Sequence, residues 1–136
     1  MASEALEIRP ISFNEIPLSI IEEGKAHRIS FPDKSGVCYF GGFIDGSLIS
    51  LICLVINKNK TGRIKSNFTV EEYRDKGYFT QLNRYCLGYA KDCGVTRILL
   101  NCLDDSVGVH ERCGARVFKK TKTITYMIYD EEQIHG

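Results

Sequence analysis

The run Tyr73-Arg74-Asp75-Lys76-Gly77-Tyr78-Phe79-Thr80 has the residue types of an anion-binding turn. A strand pattern precedes it and a helical pattern follows it. The chain therefore enters a helix N-terminus here, where backbone N–H groups lack intrahelical partners and the helix dipole is positive. Phosphate is the anion that suits such an end best. Gly77 lets the backbone approach a ligand closely, Arg74 and Lys76 bring positive charge, and Thr80 can cap the helix or bind through its hydroxyl. Taken alone, the run fits an ordinary glycine turn with solvated charges equally well.

Other residues with chemical capacity lie around it. Glu71 and Glu72 directly follow the strand and can take a proton, or simply form an exposed pair. Asn101 ends an apolar strand, where it suits ligand binding or a turn. Asp104 and Asp105 suit helix capping better than catalysis. Two basic clusters stand out, Lys58, Lys60, Arg63 and Lys65, then Arg112, Arg116, Lys119, Lys120 and Lys122. They fit a polyanion site if they adjoin, and a solvated sheet edge if they do not. The six cysteines show no two-residue spacing of a zinc or dithiol motif, and most sit in apolar runs. Cys102 and Cys113 have no evident histidine partner to make them nucleophiles.

The elements that must position these residues are legible in the periodicity. Residues 6–11 alternate as a strand, and residues 13–27 have helical spacing, with Ser12 or Asn14 as cap and Pro17 admissible only near the first turn. Pro32-Asp33-Lys34-Ser35-Gly36 is loop chemistry. Residues 37–44 and 48–56 read as strands joined by Asp45-Gly46, a hairpin signal, and a third strand covers about 63–69. The period turns helical after Gly77 and stops at Cys93-Gly94. Residues 97–103 form a nearly continuous apolar strand, expected to be buried on both faces. A short helix over about 106–113 closes on Gly114, residues 117–129 hold one or two strands, and the polar tail after Asp130 is expected to be loose.

A chain of 136 residues with a formal charge of +1 is expected to form one domain with no global pull towards nucleic acid or acidic membranes. The opening Met1-Ala2-Ser3-Glu4 has no signal-peptide pattern, and no apolar run spans a bilayer. A reduced cytoplasmic setting is the expectation, with no metal.

The stretch from Asn67 to Phe79 resembles the signature of the GNAT superfamily of acetyl-CoA-dependent N-acetyltransferases, whose strand end leads through an acidic-aromatic step into Arg-x-x-Gly-x-Gly or Ala. A second stretch, from Asp104 to Ala115, is similar to the family's later motif, in which His110 takes the place of a frequent Tyr. One helix and one strand separate the two, as in the family. The resemblance implies an α+β fold, with a mixed, mostly antiparallel central sheet flanked by helices and a splay between its two central strands. It implies that acetyl-CoA is the acyl donor. The pyrophosphate would rest on N–H groups of Asp75, Lys76, Gly77, Tyr78, Phe79 and Thr80 beside Arg74. The pantetheine would run between Phe68, Thr69 and Val70 on one strand and Asn101 on the other.

The implied reaction is direct attack of a primary amine of a small molecule or protein on the thioester. A backbone N–H of Thr69 or Val70 would polarise the carbonyl. His110, with an imidazole near its ordinary pKa of about 6.5, would serve as acid or base, or else only pack on the short helix. Three residues depart from the family pattern: Asp75 for Gly, Phe79 for Gly or Ala, and Ala115 for Phe. They leave room for a catalytically silent CoA- or macromolecule-binding module. The basic clusters leave room for binding the adenosine 3′-phosphate, or for a nucleic-acid base amine as acceptor. Monomer and homodimer are both compatible.

Overall fold

The structure, a computed structural model, describes residues 5–27, 29–34 and 36–136, with Asp105 described by its backbone alone. The opening Met1-Ala2-Ser3-Glu4, Ser35 of the expected loop and the side chain of Asp105 as a cap lie outside the described residues. Among the described residues, seven strands form one sheet in the order β1-β2-β3-β4-β5-β7-β6. β1 (Glu7–Ile11), β2 (Val37–Ile44), β3 (Ser47–Ile56) and β4 (Thr61–Thr69) make an antiparallel meander. β4 then pairs parallel with β5 (Arg97–Cys102), while β7 (Thr125–Tyr129) runs antiparallel to both β5 and β6 (Arg116–Lys120). This is the expected α+β architecture. Asp45 and Gly46 both take positive φ, 48° and 81°, as a two-residue hairpin with the twist of its strands requires.

Helices cover both faces. α1 (Leu18–Ala26) lies over the meander, where Ile11, Ile16, Ile20, Tyr39, Leu51, Cys53 and Phe68 form one core cluster. α2 (Tyr78–Asp92) crosses the other face and buries Leu82, Cys86 and Ala90 among Phe40, Ile52, Leu54, Ile98, Leu100 and Met127. These α2 positions recur at four-residue intervals, so the helical period set the buried stripe, although Tyr85, which follows the same period, is exposed. Gly88 lies on the exposed side of α2, and a Cβ there would meet nothing within 4 Å. Gly88→Ala is therefore expected to raise stability by about 0.5–1 kcal/mol, read from a urea melt.

The structure departs from the sequence reading at several elements. Residues 13–27 split into a 3-10 turn (Phe13–Glu15) and α1, because Pro17, with no N–H to donate, sits at the N-cap of α1. Ser12 does start the first piece, its N–H donating to Glu15 Oε2 at 2.8 Å. α3 (Asp104–Arg112) begins earlier than expected, and its N-cap is Leu103 rather than Asp104, which occupies the first helical position. The tail is not loose. It forms α4 (Glu131–His135), held because Ile134 is buried in the α2 cluster and His135 Nε2 meets the Val95 carbonyl at 2.5 Å.

β5 is not buried on both faces. Arg97 and Asn101 are exposed while Ile98, Leu100 and Cys102 are buried, because α1 covers the meander but not this half of the sheet. All six cysteines are free, with Cys53, Cys86 and Cys102 buried as small hydrophobes. Among the described residues no helix is long and apolar enough to cross a membrane.

Candidate functional site

A bulge in β4 creates the site. Leu51 pairs with Phe68 and Cys53 with Lys65, so Ser66 and Asn67 together stand opposite Ile52. Ser66 takes the extra turn with φ 58°, and its hydroxyl bonds the Ser30 carbonyl. A bulge bends its strand and interrupts the ladder. On the other side, β4 pairs with β5 only from Thr61 opposite Arg97 to Ile64 opposite Leu100. Beyond that point the two strands diverge, and the expected splay is present. It opens a cleft of about 1100 Å³, whose lining includes Asn67, Thr69, Phe79 and Asn101.

The backbone of β4 faces this gap in a defined way. The Val70 N–H donates to the Ile49 carbonyl of β3 at 2.8 Å, so it is engaged and does not polarise a carbonyl in the cleft. Successive N–H groups of a strand point to opposite sides, which leaves the Thr69 N–H directed into the splay. Thr69 is further fixed by its hydroxyl at 2.8 Å from Ser50 Oγ, and by its carbonyl, which accepts from Arg74 Nε at 2.8 Å. Phe68 is buried on the α1 side and is also among the residues that line the cleft.

The turn that follows leads into α2. After the 3-10 turn Glu71–Tyr73, both Asp75 and Gly77 adopt positive φ, 61° and 82°. Gly77 is the N-cap of α2 and no side chain caps the helix there, so the first N–H groups of α2 have neither an intrahelical partner nor a capping side chain. A Cβ on Gly77 would meet nothing within 4 Å, so the space in front of the helix end is open. Such an end, with free N–H groups and open space before it, is one that an anion can occupy.

The charges are arranged less simply. Arg74 reaches Thr69 and Glu23 of α1, its second nitrogen 3.4 Å from Glu23 Oε2, so it turns back towards β4 rather than over the helix end. Lys76 is exposed, with its ammonium 5.7 Å from the Tyr73 ring centre. Tyr78 and Thr80 occupy the first turn and are half-buried. Glu71 is exposed and lines the cleft, whereas Glu72, also exposed, does not.

For His110 the sequence left two roles open, a titrating acid or base and a packed residue, and the structure shows it packed. Its side chain on α3 is wholly buried, with both ring nitrogens engaged: Nδ1 lies 2.7 Å from the Tyr129 hydroxyl and Nε2 lies 3.2 Å from Asn67 Nδ2. Asn83 of α2 donates to the same hydroxyl at 3.0 Å. The rings of Phe79 and Tyr129 meet the imidazole edge-on, at 5.9 and 5.8 Å. Burial pushes the pKa of His110 down from 6.5 to about 4. It is therefore neutral near pH 7 and is not the imidazole of ordinary pKa that was expected. With the Asn67 amide donating to Nε2, the proton sits on Nδ1 and is given to Tyr129. The buried phenol is held protonated, since desolvation raises its pKa.

Asn83, Tyr129, His110 and Asn67 thus form one chain of polar side chains through the core to the edge of the cleft. Sequence reasoning missed Asn83 and Tyr129. The available signal was Asn83 itself, a polar residue next to Leu82 on the apolar stripe of α2. Phe79 closes the chain from the cleft side, as its ring covers His110 where the expected Gly or Ala would leave a gap.

Comparison with known proteins agrees with this geometry. The model of the acetyltransferase (GNAT) family matches residues 5–115. Among curated protein sequences, none matches significantly. Solved structures share the fold at low identity. The IAA acetyltransferase of Bacillus cereus ATCC 14579 is 18% identical with a TM-score of 0.74, over 93% of this chain and 99% of that one. The ribosomal-protein-S18-alanine N-acetyltransferase of Escherichia coli is 12% identical with a TM-score of 0.78, over 93% and 94%. The PaiA N-acetyltransferase of Thermoplasma acidophilum, solved in complex with coenzyme A, is 17% identical with a TM-score of 0.69, over 93% and 99%.

Proposed function

Since the chain belongs to the acetyltransferase (GNAT) family, we propose that it is an N-acetyltransferase that moves the acetyl group of acetyl-CoA to a primary amine by direct attack in a ternary complex. One observation carries this reading: the β4–β5 ladder stops at Ile64 and Leu100, and the resulting gap lies beside the uncapped N-terminus of α2. A phosphate-binding end and a slot for an extended arm are thereby joined. The N–H groups of Tyr78, Phe79 and Thr80 would hold the pyrophosphate, with Asp75, Lys76 and Gly77 shaping the approach. Asn101 and the backbone of residues 67–69 would hold the pantetheine.

In the reaction, the amine nitrogen bonds to the acyl carbon, the carbon–sulfur bond breaks, and the nitrogen sheds a proton. The Thr69 N–H is placed to polarise the acyl oxygen. Glu71, which lines the cleft directly after β4, is our candidate to receive the amine proton directly or through water, with Glu72 outside the lining as the weaker choice. The departing thiolate is protonated by water in the cleft or by the proton that Glu71 has received from the amine, while Asn67, at the end of the buried chain, borders that space. His110 contributes by fixing Asn67 rather than by touching the thioester. The free thiols fit a reducing cytoplasm.

The test is release of free thiol on mixing the protein with acetyl-CoA and a panel of amines. Turnover above the no-amine background is expected. Phe79 across the His110 edge favours a second reading, a CoA-binding module without turnover. Calorimetric CoA binding with no thiol release for any amine would select it.

A further inference from the structure

The uncovered half of the sheet carries a charge pattern with a meaning for the acceptor, and the inference rests on the acyltransferase reading above. Strand register places Arg63 opposite Leu99, Leu99 opposite Ile128, and Ile128 opposite Arg116, one row across four strands. In the next row Asn101 stands opposite Tyr126, and Tyr126 opposite Lys119. Lys65 belongs to the same face, two residues beyond Arg63 on β4 and before the bulge. The two basic clusters of the sequence therefore contribute to one face, the one that α1 leaves open.

The far flank is already occupied. Arg116 is 2.6 Å from Asp130, and the Lys119 ammonium is 5.3 Å from the Tyr126 ring centre. The near flank is different. Arg63 and Lys65 are half-buried and line the cleft, yet among the described residues neither has a carboxylate within ion-pair distance. The cleft carboxylates, Glu71 and Asp75, lie beyond the other end of β4. Their stems are partly covered while both cationic heads border the cleft, so an anionic group entering it would find two donors not already paired with a carboxylate. Lys65 precedes Thr69, whose N–H would face the acyl oxygen, by four residues on β4, so their backbones lie about 13 Å apart or less.

We propose that the acceptor is an anionic amine, a primary amine carrying a carboxylate or phosphate a few bonds from its nitrogen. The anion sits on Arg63 and Lys65, and the nitrogen points along β4 to the splay. The chemistry is shared by carboxylate and phosphate, and the probes separate the two.

The test compares O-phosphoethanolamine and 4-aminobutyrate with ethanolamine and 1,4-diaminobutane, first as acceptors with acetyl-CoA and then as ligands of the CoA-loaded protein by calorimetry. At least one anionic amine is expected to exceed ethanolamine about 10-fold or more in kcat/KM and in affinity, as a charge-assisted contact gives. The R63Q/K65Q protein should bring that ratio close to one, and Lys65→Glu should shift preference towards 1,4-diaminobutane, with unchanged melting temperatures showing that both variants fold. Equal binding of ethanolamine and the anionic amines, preference of the parent for the diamine, absence of binding by either anionic amine, or an unchanged ratio in R63Q/K65Q would each overturn the proposal. Absence of CoA binding would instead overturn the acyltransferase reading, because the amine comparison by calorimetry can also be made without CoA.

Discussion

Thr80→Glu is expected to weaken CoA binding about 100-fold while leaving the protein as stable as before or slightly more so. Thr80 is the third helical residue after the Gly77 N-cap. A carboxylate at that position interacts favourably with the helix dipole and can reach back to the N-cap N–H, worth about 0.3–1 kcal/mol. The same carboxylate would face the pyrophosphate. At roughly 6 Å and an effective dielectric near 20, one pair of like charges repels by about 3 kcal/mol. The two effects have opposite signs, so a thermal melt and a CoA titration on one sample separate them. Thr80→Gln, similar in shape and uncharged, should bind CoA within a few-fold of the parent. Retention of full affinity by the Glu variant would mean that the pyrophosphate does not rest on α2.

Acidification from pH 6.5 to 4 should remove roughly 3 kcal/mol of stability through His110 alone. The imidazole titrates at about 4 in the folded protein and near 6.5 when exposed, because desolvation disfavours the cation. The unfolded chain therefore binds this proton more tightly. The contribution of neutral His110 is complete above about pH 6.5, declines as pH falls through the window, and is gone below about 4. The carboxylates of Glu15 and Asp130, whose pKa values are lowered by Ser12 and Arg116 respectively, also lose stabilisation in acid. The difference between the parent and His110→Gln isolates the imidazole. Urea melts at several pH values should give a steep slope for the parent and a shallower one for the variant. A parallel pair of slopes would show that burial does not hold this histidine neutral. By the same logic, the rate profile of the enzyme should show no limb near 6.5 arising from His110.

Much of the site was legible because it depends on local chain properties. The Gly77 turn between a strand and a helix is a matter of adjacent residues, and so is the hairpin at Asp45 and Gly46. The period of residues 79–90 fixed which face of α2 would be buried. The separation of the two family-like stretches fixed the order of elements around the sheet. These features needed no knowledge of what each element would touch.

The roles of individual polar residues were not legible. Whether His110 titrates or only packs stayed open because its position along α3 says nothing about the phenol, the Asn67 amide and the Phe79 ring that enclose it from β7, β4 and α2. Val70 and Thr69 are neighbours of similar type, and only the β3 ladder decides which N–H is already bonded. The apolar run of β5 suggested two buried faces, but coverage depends on where α1 lies, and α1 stops short of that strand. Arg63 and Lys65 read as edge charges until the sheet register brought them to the open cleft. The sequence by itself thus determined the fold class and the glycine turn that opens α2, since backbone geometry and periodicity are local. The tertiary structure alone decided burial, hydrogen-bond partners and proton affinity, since these depend on residues brought together from distant parts of the chain.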